Sequence, residues 1–403
     1  MVEEKRRLVF RDIYWLLQSA AGGRQQSWVE LDCQMTVDFL SIVHLKQSHI
    51  LVNNGVIKTT ERKNGGRKVK PLGIWGFPPV DNVQTLASKK LEDIPLHYVR
   101  PESELGQVSA NESLHIPVND MSKLCDNKEL AKLHQVRKVC KDWGIFQLIN
   151  HGISEAIARM KEVTEEFLQQ PLKKKMTCAQ LPSSIKGHGQ AFVVSKGQKF
   201  DRGDMPFLLQ PVQRRNMRVW PTNPQFRDQT YSLELQGLAI SLLRLMARSL
   251  GLDLDAFTTL YEDGVQGITM NYYPPCQEAS KVMGLTTHSD ATELTLRIQD
   301  GKWVPIKPLP DAVIINNGDF MEITGNGEYS SIEHRPMVNL DKERLSIAGF
   351  HSPNMSAVVG HFTDLVKEGG AKYKTLDHKE YMKMVVSSKL DGKSLLDYTR
   401  IKQ

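Results

Sequence analysis

At Asp263 the hydrophobic rhythm of the chain changes, and this constrains the fold more than any other feature. Downstream, short apolar runs alternate with Gly, Pro, Asn and Asp: Gly267 to Tyr273, Leu294 to Ile298, Trp303 to Ile306, Ala312 to Asn316 and Leu345 to Phe350. Short runs punctuated in this way read as strands, and a regular series of them reads as an antiparallel jelly-roll. Upstream the period is helical. Val83 to Leu91 forms a short helix, and Leu130, Leu133, Val136, Val139 and Cys140 share one face of a helix over Glu129 to Trp143. Ile153, Ile157, Met160, Val163 and Phe167 mark another, and a long helix runs from about Phe226 to Leu250, with Gly251 as its stop. Leu114 to Val118 and Ile145 to Ile149 are strands, and Asn150-His151-Gly152 is a turn. After Gly360 the chain returns to helix. The fold class is α+β, with a jelly-roll core flanked by helices.

Composition excludes some functions. The 403 residues are 40% hydrophobic and 24% charged, as in a soluble globular protein. The net charge of +6 is modest, and part of it is local: Lys58, Arg62, Lys63, Arg67, Lys68 and Lys70 lie close together. Such a run can be a nuclear signal or a nucleic-acid patch. With Gly65-Gly66 inside it, a solvated loop is the plainer reading, and no nucleic-acid partner is expected. Cys33, Cys125, Cys140, Cys178 and Cys276 show no Cys-x-x-Cys, which fits a reducing compartment. No apolar run is long enough to span a membrane. A cytoplasmic monomer is expected, with the nucleus as an alternative location.

The strand region carries the chemistry. Residues i and i+2 of a strand share a face, so His288 and Asp290 can offer an imidazole and a carboxylate to one metal. His334 follows 46 residues later (334 − 288), and two histidines with one carboxylate are the facial set of a non-haem Fe(II) oxygenase. His-x-Asp alone is weak evidence in a chain with twelve histidines. Arg344 and Ser346 form a second same-face pair, ten residues beyond His334 (344 − 334). A guanidinium grips a carboxylate with two parallel hydrogen bonds, and a serine hydroxyl adds a third. That suits the distal carboxylate of a dicarboxylate co-substrate. Asn271 and Tyr273 are a third pair; Tyr273 suits a carboxylate near the metal, with core packing as its other reading. Asn316-Asn317-Gly318-Asp319 reads as a turn orienting the strand that delivers His334. His115, His134, His151, His188 and His351 have no metal spacing, and His151 reads as structural.

At these residues the sequence resembles the plant 2-oxoglutarate/Fe(II)-dependent dioxygenases of specialised metabolism. The group is the one with senescence-related-gene-like, norcoclaurine synthase-like and codeine O-demethylase-like proteins. The resemblance covers about residues 79–400. It includes Tyr98-Val99-Arg100-Pro101-Glu102, the stretch Asp142 to Gly152, Asn271-Tyr272-Tyr273-Pro274-Pro275, His288-Ser289-Asp290 and Glu333-His334-Arg335. Arg344-Leu345-Ser346 and Leu390-Asp391-Gly392-Lys393-Ser394 complete it. The resemblance implies a double-stranded β-helix core. It implies Fe(II) on His288, Asp290 and His334, and 2-oxoglutarate on Arg344, Ser346, Tyr273 and Asn271. O2 is the other co-substrate, ascorbate a further one to consider. The implied reaction decarboxylates 2-oxoglutarate to succinate and CO2 while a small molecule, such as an alkaloid or a phenylpropanoid- or flavonoid-like compound, is hydroxylated or O-demethylated.

Three departures qualify this. Gln299 runs directly into Asp300-Gly301-Lys302-Trp303, where the pattern has about a dozen more residues and a strand. Residues 1–78 form an extension outside the resemblance. Arg202 stands where the pattern favours Trp, and the stretch Pro224 to Gln229 is short. The expected divisions are 1–78, a mainly helical 79–262, a jelly-roll 263–365 and a helical 366–403. Two functional readings follow: an active dioxygenase, or an impaired paralogue or imperfect gene model that keeps the fold and binds metal or small molecule without turnover.

Overall fold

The chain divides into two compact units, Met1–Val69 and Lys70–Gln403. The computed structural model describes residues 82–402 apart from 90–92, 107–114, 125–129, 181–185, 190–192, 194–196, 212–219, 222–229, 262–263, 291–302 and 367–369. The basic stretch, the N-terminal extension, the Leu294 to Ile298 strand, the junction at Gln299 and the stretch Pro224 to Gln229 all lie outside the described residues.

The strands in chain order are β1 (Val118–Asp120), β2 (Ile145–Ile149), β3 (Gly187–Gly189), β4 (Met205–Pro211), β5 (Val265–Tyr273), β6 (Val313–Asn316), β7 (Arg344–Ser352), β8 (Val358–Val359) and β9 (Leu376–Asp377). The helices that bear on the site are α1 (Val83–Ser88), α2 (Glu102–Leu105), α3 (Leu130–Asp142), α4 (Ser154–Gln169), α5 (Thr230–Ser249), α6 (Asp319–Thr324), α7 (His378–Ser387) and α8 (Ser394–Thr399). The larger sheet has the order β3-β4-β5-β7, antiparallel throughout, and a second has the order β1-β2-β6. This is the double-stranded β-helix with flanking helices.

The period-2 pattern of β5 decides which face is buried against helices. Ile268 and Met270, with Leu208 from β4 and Ile347 from β7, pack on Met160, Val163 and Phe167 of α4. Alternation then sends Asn271, Tyr273, Arg344 and Ser346 to the opposite face, where Tyr273 is buried and Arg344, at the end of its strand, is exposed. A larger core joins α3 to α5 through Val136, Val139, Leu242, Leu243 and Met246. α5 stops where Gly251 takes a φ of +75°, the left-handed cap that glycine adopts at no steric cost.

The structure corrects several expectations. Leu114 to Val118 is displaced: β1 begins at Val118. From Trp303 to Ile306 only Trp303 makes a bridge, since Pro305 and Pro308 remove ladder donors there. The turn at Asn316–Asp319 opens a helix, α6, from Gly318. His288 and Asp290 lie outside any named strand; His288 sits in isolated one-residue bridges.

Candidate metal centre

Those bridges build the site. His288 N–H donates to the carbonyl of His334 at 3.1 Å, and His334 N–H returns to the carbonyl of His288 at 2.8 Å. This antiparallel pair sets two chains 46 residues apart side by side and brings the two imidazole rings to 3.7 Å between centroids. On the other side Ser289 N–H donates to Gly392 at 3.1 Å, and Gly392 N–H donates to Thr287 at 3.0 Å. A C-terminal residue therefore flanks the same chain. Its φ of +55° is a conformation that side-chain-bearing residues rarely adopt, and a Cβ there would also have to displace the Glu333 carboxylate.

Ligand-type atoms of His288, Asp290 and His334 lie within 4.8 Å of one another, the one such group among the described residues. His288 Nε2 is 3.5 Å from Asp290 Oδ1. Each histidine engages a carbonyl through Nδ1: His288 to Thr286 at 2.6 Å and His334 to His288 at 3.0 Å. A carbonyl only accepts, so Nδ1 carries the proton and Nε2 keeps its lone pair for a metal. Burial, with His288 and Arg344 nearby, pushes His334 well below the ordinary imidazole range. A neutral ring is the ligating form. Two imidazoles and one carboxylate fit a divalent iron, and three protein donors leave coordination positions open.

The four residues of the β5–β7 ladder come next, with Arg344 near enough to bear on His334. Asn271 is the direct cross-strand partner of Ser346, and Tyr273 of Arg344. Asn271 Nδ2 donates to Ser346 Oγ at 3.3 Å, and the Arg344 guanidinium lies 5.2 Å from the Tyr273 ring centre. Burial keeps the Tyr273 hydroxyl protonated, its pKa pushed up to about 12. Its ring is held in a slot: a Cβ at Gly203 would fall 2.7 Å from the ring, and one at Gly284 2.8 Å from it. The structure thus brings His288, Asp290 and His334 together, sets Asn271 and Tyr273 across the ladder from Ser346 and Arg344, and has Arg344 bear on His334. His151 binds the Asp311 carbonyl at 2.9 Å and is structural, as expected.

The sequence reading missed the supports. Asp319, the first residue of α6, donates its N–H to the Asp290 carbonyl at 2.9 Å. Its carboxylate accepts from Ser289 at 3.2 Å, Ser331 at 2.7 Å and Tyr381 at 2.9 Å. Burial raises its pKa to about 6. One helix turn further, the buried Glu322 accepts from Ser331 N–H at 2.7 Å, Lys393 at 3.0 Å and Arg400 at 2.8 Å. These contacts hold both ligand-bearing chains against α6. The sequence motifs that hold some of them, Asn316 to Asp319, His288-Ser289-Asp290 and Leu390 to Ser394, carry no contact information.

Comparison with known proteins gives concordant findings. Residues 116–223 match the family described as non-haem dioxygenase in morphine synthesis N-terminal, and residues 264–353 match the 2OG-Fe(II) oxygenase superfamily. The chain is 48% identical over 350 residues to S-norcoclaurine synthase 1 of Coptis japonica, covering 82% of this chain and 98% of that one. It is 44% identical over 340 residues to oxoglutarate-dependent flavonoid 7-O-demethylase 1 of Ocimum basilicum, covering 80% and 91%. Among solved structures, JOX2 in complex with 2OG, Fe and JA superposes with a TM-score of 0.73 at 30% identity, covering 81% of this chain and 99% of that one.

Proposed function

The chain belongs to the 2OG-Fe(II) oxygenase superfamily, and on that premise we propose that it oxidises a small plant metabolite with His288, Asp290 and His334 as its iron ligands. It is an oxidoreductase that uses Fe(II), with 2-oxoglutarate and O2 as co-substrates. The observation that carries the ligand assignment is the pair of Nδ1–carbonyl bonds that leave both Nε2 atoms free beside Asp290. When bound, Fe(II) couples decarboxylation of 2-oxoglutarate and reduction of O2 to oxidation of a substrate C–H bond.

The chain's own residues bind and orient. The Arg344 fork takes the distal carboxylate of 2-oxoglutarate in two parallel hydrogen bonds. Asn271 donates to Ser346 Oγ, so the serine keeps its own proton for the same carboxylate. Tyr273, protonated, donates beside it. Fixing one end of the co-substrate in this way aims the other at the metal and converts a collision into a positioned reaction.

The relatives named above support an alkaloid or a methoxylated flavonoid-like molecule as substrate, and the second supports O-demethylation as the outcome, with hydroxylation as the alternative. The two outcomes are one chemistry, because an oxidised O–CH3 carbon is a hemiacetal that releases formaldehyde. The reading of an impaired paralogue finds no support in relatives that match over nearly their whole length. No described helix is long and apolar enough to cross a membrane. We place the enzyme as a cytoplasmic monomer without a nucleic-acid partner, divided at 78, 262 and 365. The test is incubation of purified protein with Fe(II), 2-oxoglutarate, air and a panel of methoxylated flavonoids and benzylisoquinolines. Succinate with equimolar formaldehyde identifies O-demethylation, and succinate alone identifies hydroxylation. Succinate at the substrate-free level for every methoxylated and unmethoxylated member would count against the substrate class.

A further inference from the structure

The Tyr98–Glu102 motif precedes both matched family regions and has no part in the site as described so far. Arg100 in it is buried. Its Nη2 donates to Asp201 Oδ1 at 2.6 Å and to Thr286 Oγ1 at 2.8 Å, and Thr286 Oγ1 donates to the same Asp201 oxygen at 2.7 Å. The three groups close a triangle. The backbone carbonyl of Thr286 is the acceptor that fixes His288 Nδ1. Arg100 also reaches Glu104 of α2 through Nη1, at 3.1 Å. At the end of α2, the carbonyls of Glu104 and Leu105 accept from the two terminal nitrogens of Arg335, the first at 2.9 Å. Arg335 follows His334 directly and stacks on Trp303 at 4.1 Å. Gly106 closes α2 with a φ of +57°, where a Cβ would stand 2.9 Å from the Trp303 indole nitrogen.

We propose that Arg100 to Leu105 is a clamp that positions the metal ligands, Arg100 through Thr286 onto His288 and the α2 carbonyls through Arg335 onto His334. One short segment thereby holds both ligand-bearing chains in register, complementing α6, which holds them from Asp319 and Glu322. Neither arm touches the metal or a substrate; both act on the residues next to the imidazoles. The arginines matter by shape as well as by charge, because each spends its planar fork on two or more acceptors at once, which an ammonium on a flexible stem does not reproduce. The inference rests on the ligand assignment above.

The test uses full-length protein, stripped of metal and titrated anaerobically with Co(II), read by its visible d–d absorption. Thr286→Val removes the hydroxyl, Thr286→Ser restores it, and Arg100→Lys keeps the charge without the fork. The expected result is a Co(II) affinity about 10-fold weaker for Thr286→Val and for Arg100→Lys, near wild type for Thr286→Ser, with an altered d–d band shape in the weakened variants. The thermal midpoint without metal is measured alongside. Unchanged affinity and band shape in Thr286→Val and Arg100→Lys, with or without a lower midpoint, would overturn the clamp and leave a structural role only. His288→Ala is the control for the underlying assignment: if it binds Co(II) as tightly as wild type, the ligand reading fails, whatever the clamp variants do.

Discussion

Arg344 and Tyr273 meet across the β5–β7 ladder, and this pair sets the residue-scale chemistry. The guanidinium supplies a planar two-pronged donor, and Tyr273 supplies a proton that burial prevents it from losing. Replacing Arg344 with Lys keeps the charge and loses the fork. Loss of one charge-assisted hydrogen bond, about 1.5–3 kcal/mol, corresponds to a KM for 2-oxoglutarate about 10- to 100-fold higher. The turnover rate at saturating co-substrate should fall much less, because a grip of Arg344 on the distal carboxylate, as proposed, would be the same in ground state and transition state. Succinate formation measured against 2-oxoglutarate concentration checks this. A variant with unchanged KM would remove Arg344 from the co-substrate site.

At the scale of elements, the four-stranded sheet carries a buried histidine on each outer strand, His188 on β3 and His351 on β7. Burial pushes both down to about 4, with Lys175 adding to the effect at His188. The unfolded chain titrates near 6.5, so between about 6.5 and 4 it binds more protons than the folded one. Stability is therefore complete above pH 6.5 and falls as the pH drops to 4, by at most about 3 kcal/mol per histidine. His351→Gln should flatten this slope by about one proton in urea unfolding measured at pH 7, 5.5 and 4.5. An unaltered slope would show that His351 is not held neutral. The same elements show what could be read beforehand. Period 2 put Asn271 with Tyr273 and Arg344 with Ser346, but no local pattern states that Asn271 lies opposite Ser346. His288 and Asp290 were placed on a strand that is only a one-residue bridge. The error did no harm because the bridge keeps an extended chain locally. The Asp319 and Arg100 contacts were invisible because they join segments far apart in sequence, where neither periodicity nor spacing reports contact.

At the scale of the whole molecule, the chain returns to its metal loop at the end. Gly392 lies beside Thr287 and Ser289, and Lys393 and Arg400 neutralise the buried Glu322. α7 and α8 pack on α6 through Phe320, Ile323, Tyr381 and Leu396. The C-terminal segment is thus part of the support for the site. Lys393→Met takes one of two cations from Glu322 and should cost about 2 kcal/mol, a fall in thermal midpoint of about 5 °C. Differential scanning fluorimetry would record it, and an unchanged midpoint would show that Arg400 alone suffices. Anaerobic titration with Fe(II) and 2-oxoglutarate tests most directly whether His288, Asp290 and His334 hold Fe(II) with 2-oxoglutarate gripped by Arg344 and Ser346, as proposed. A visible metal-to-ligand charge-transfer band should grow to one equivalent in the wild type and be lost in His288→Ala. A wild-type protein that is folded but gives no band, or a His288→Ala variant that gives the full band, would contradict the claim.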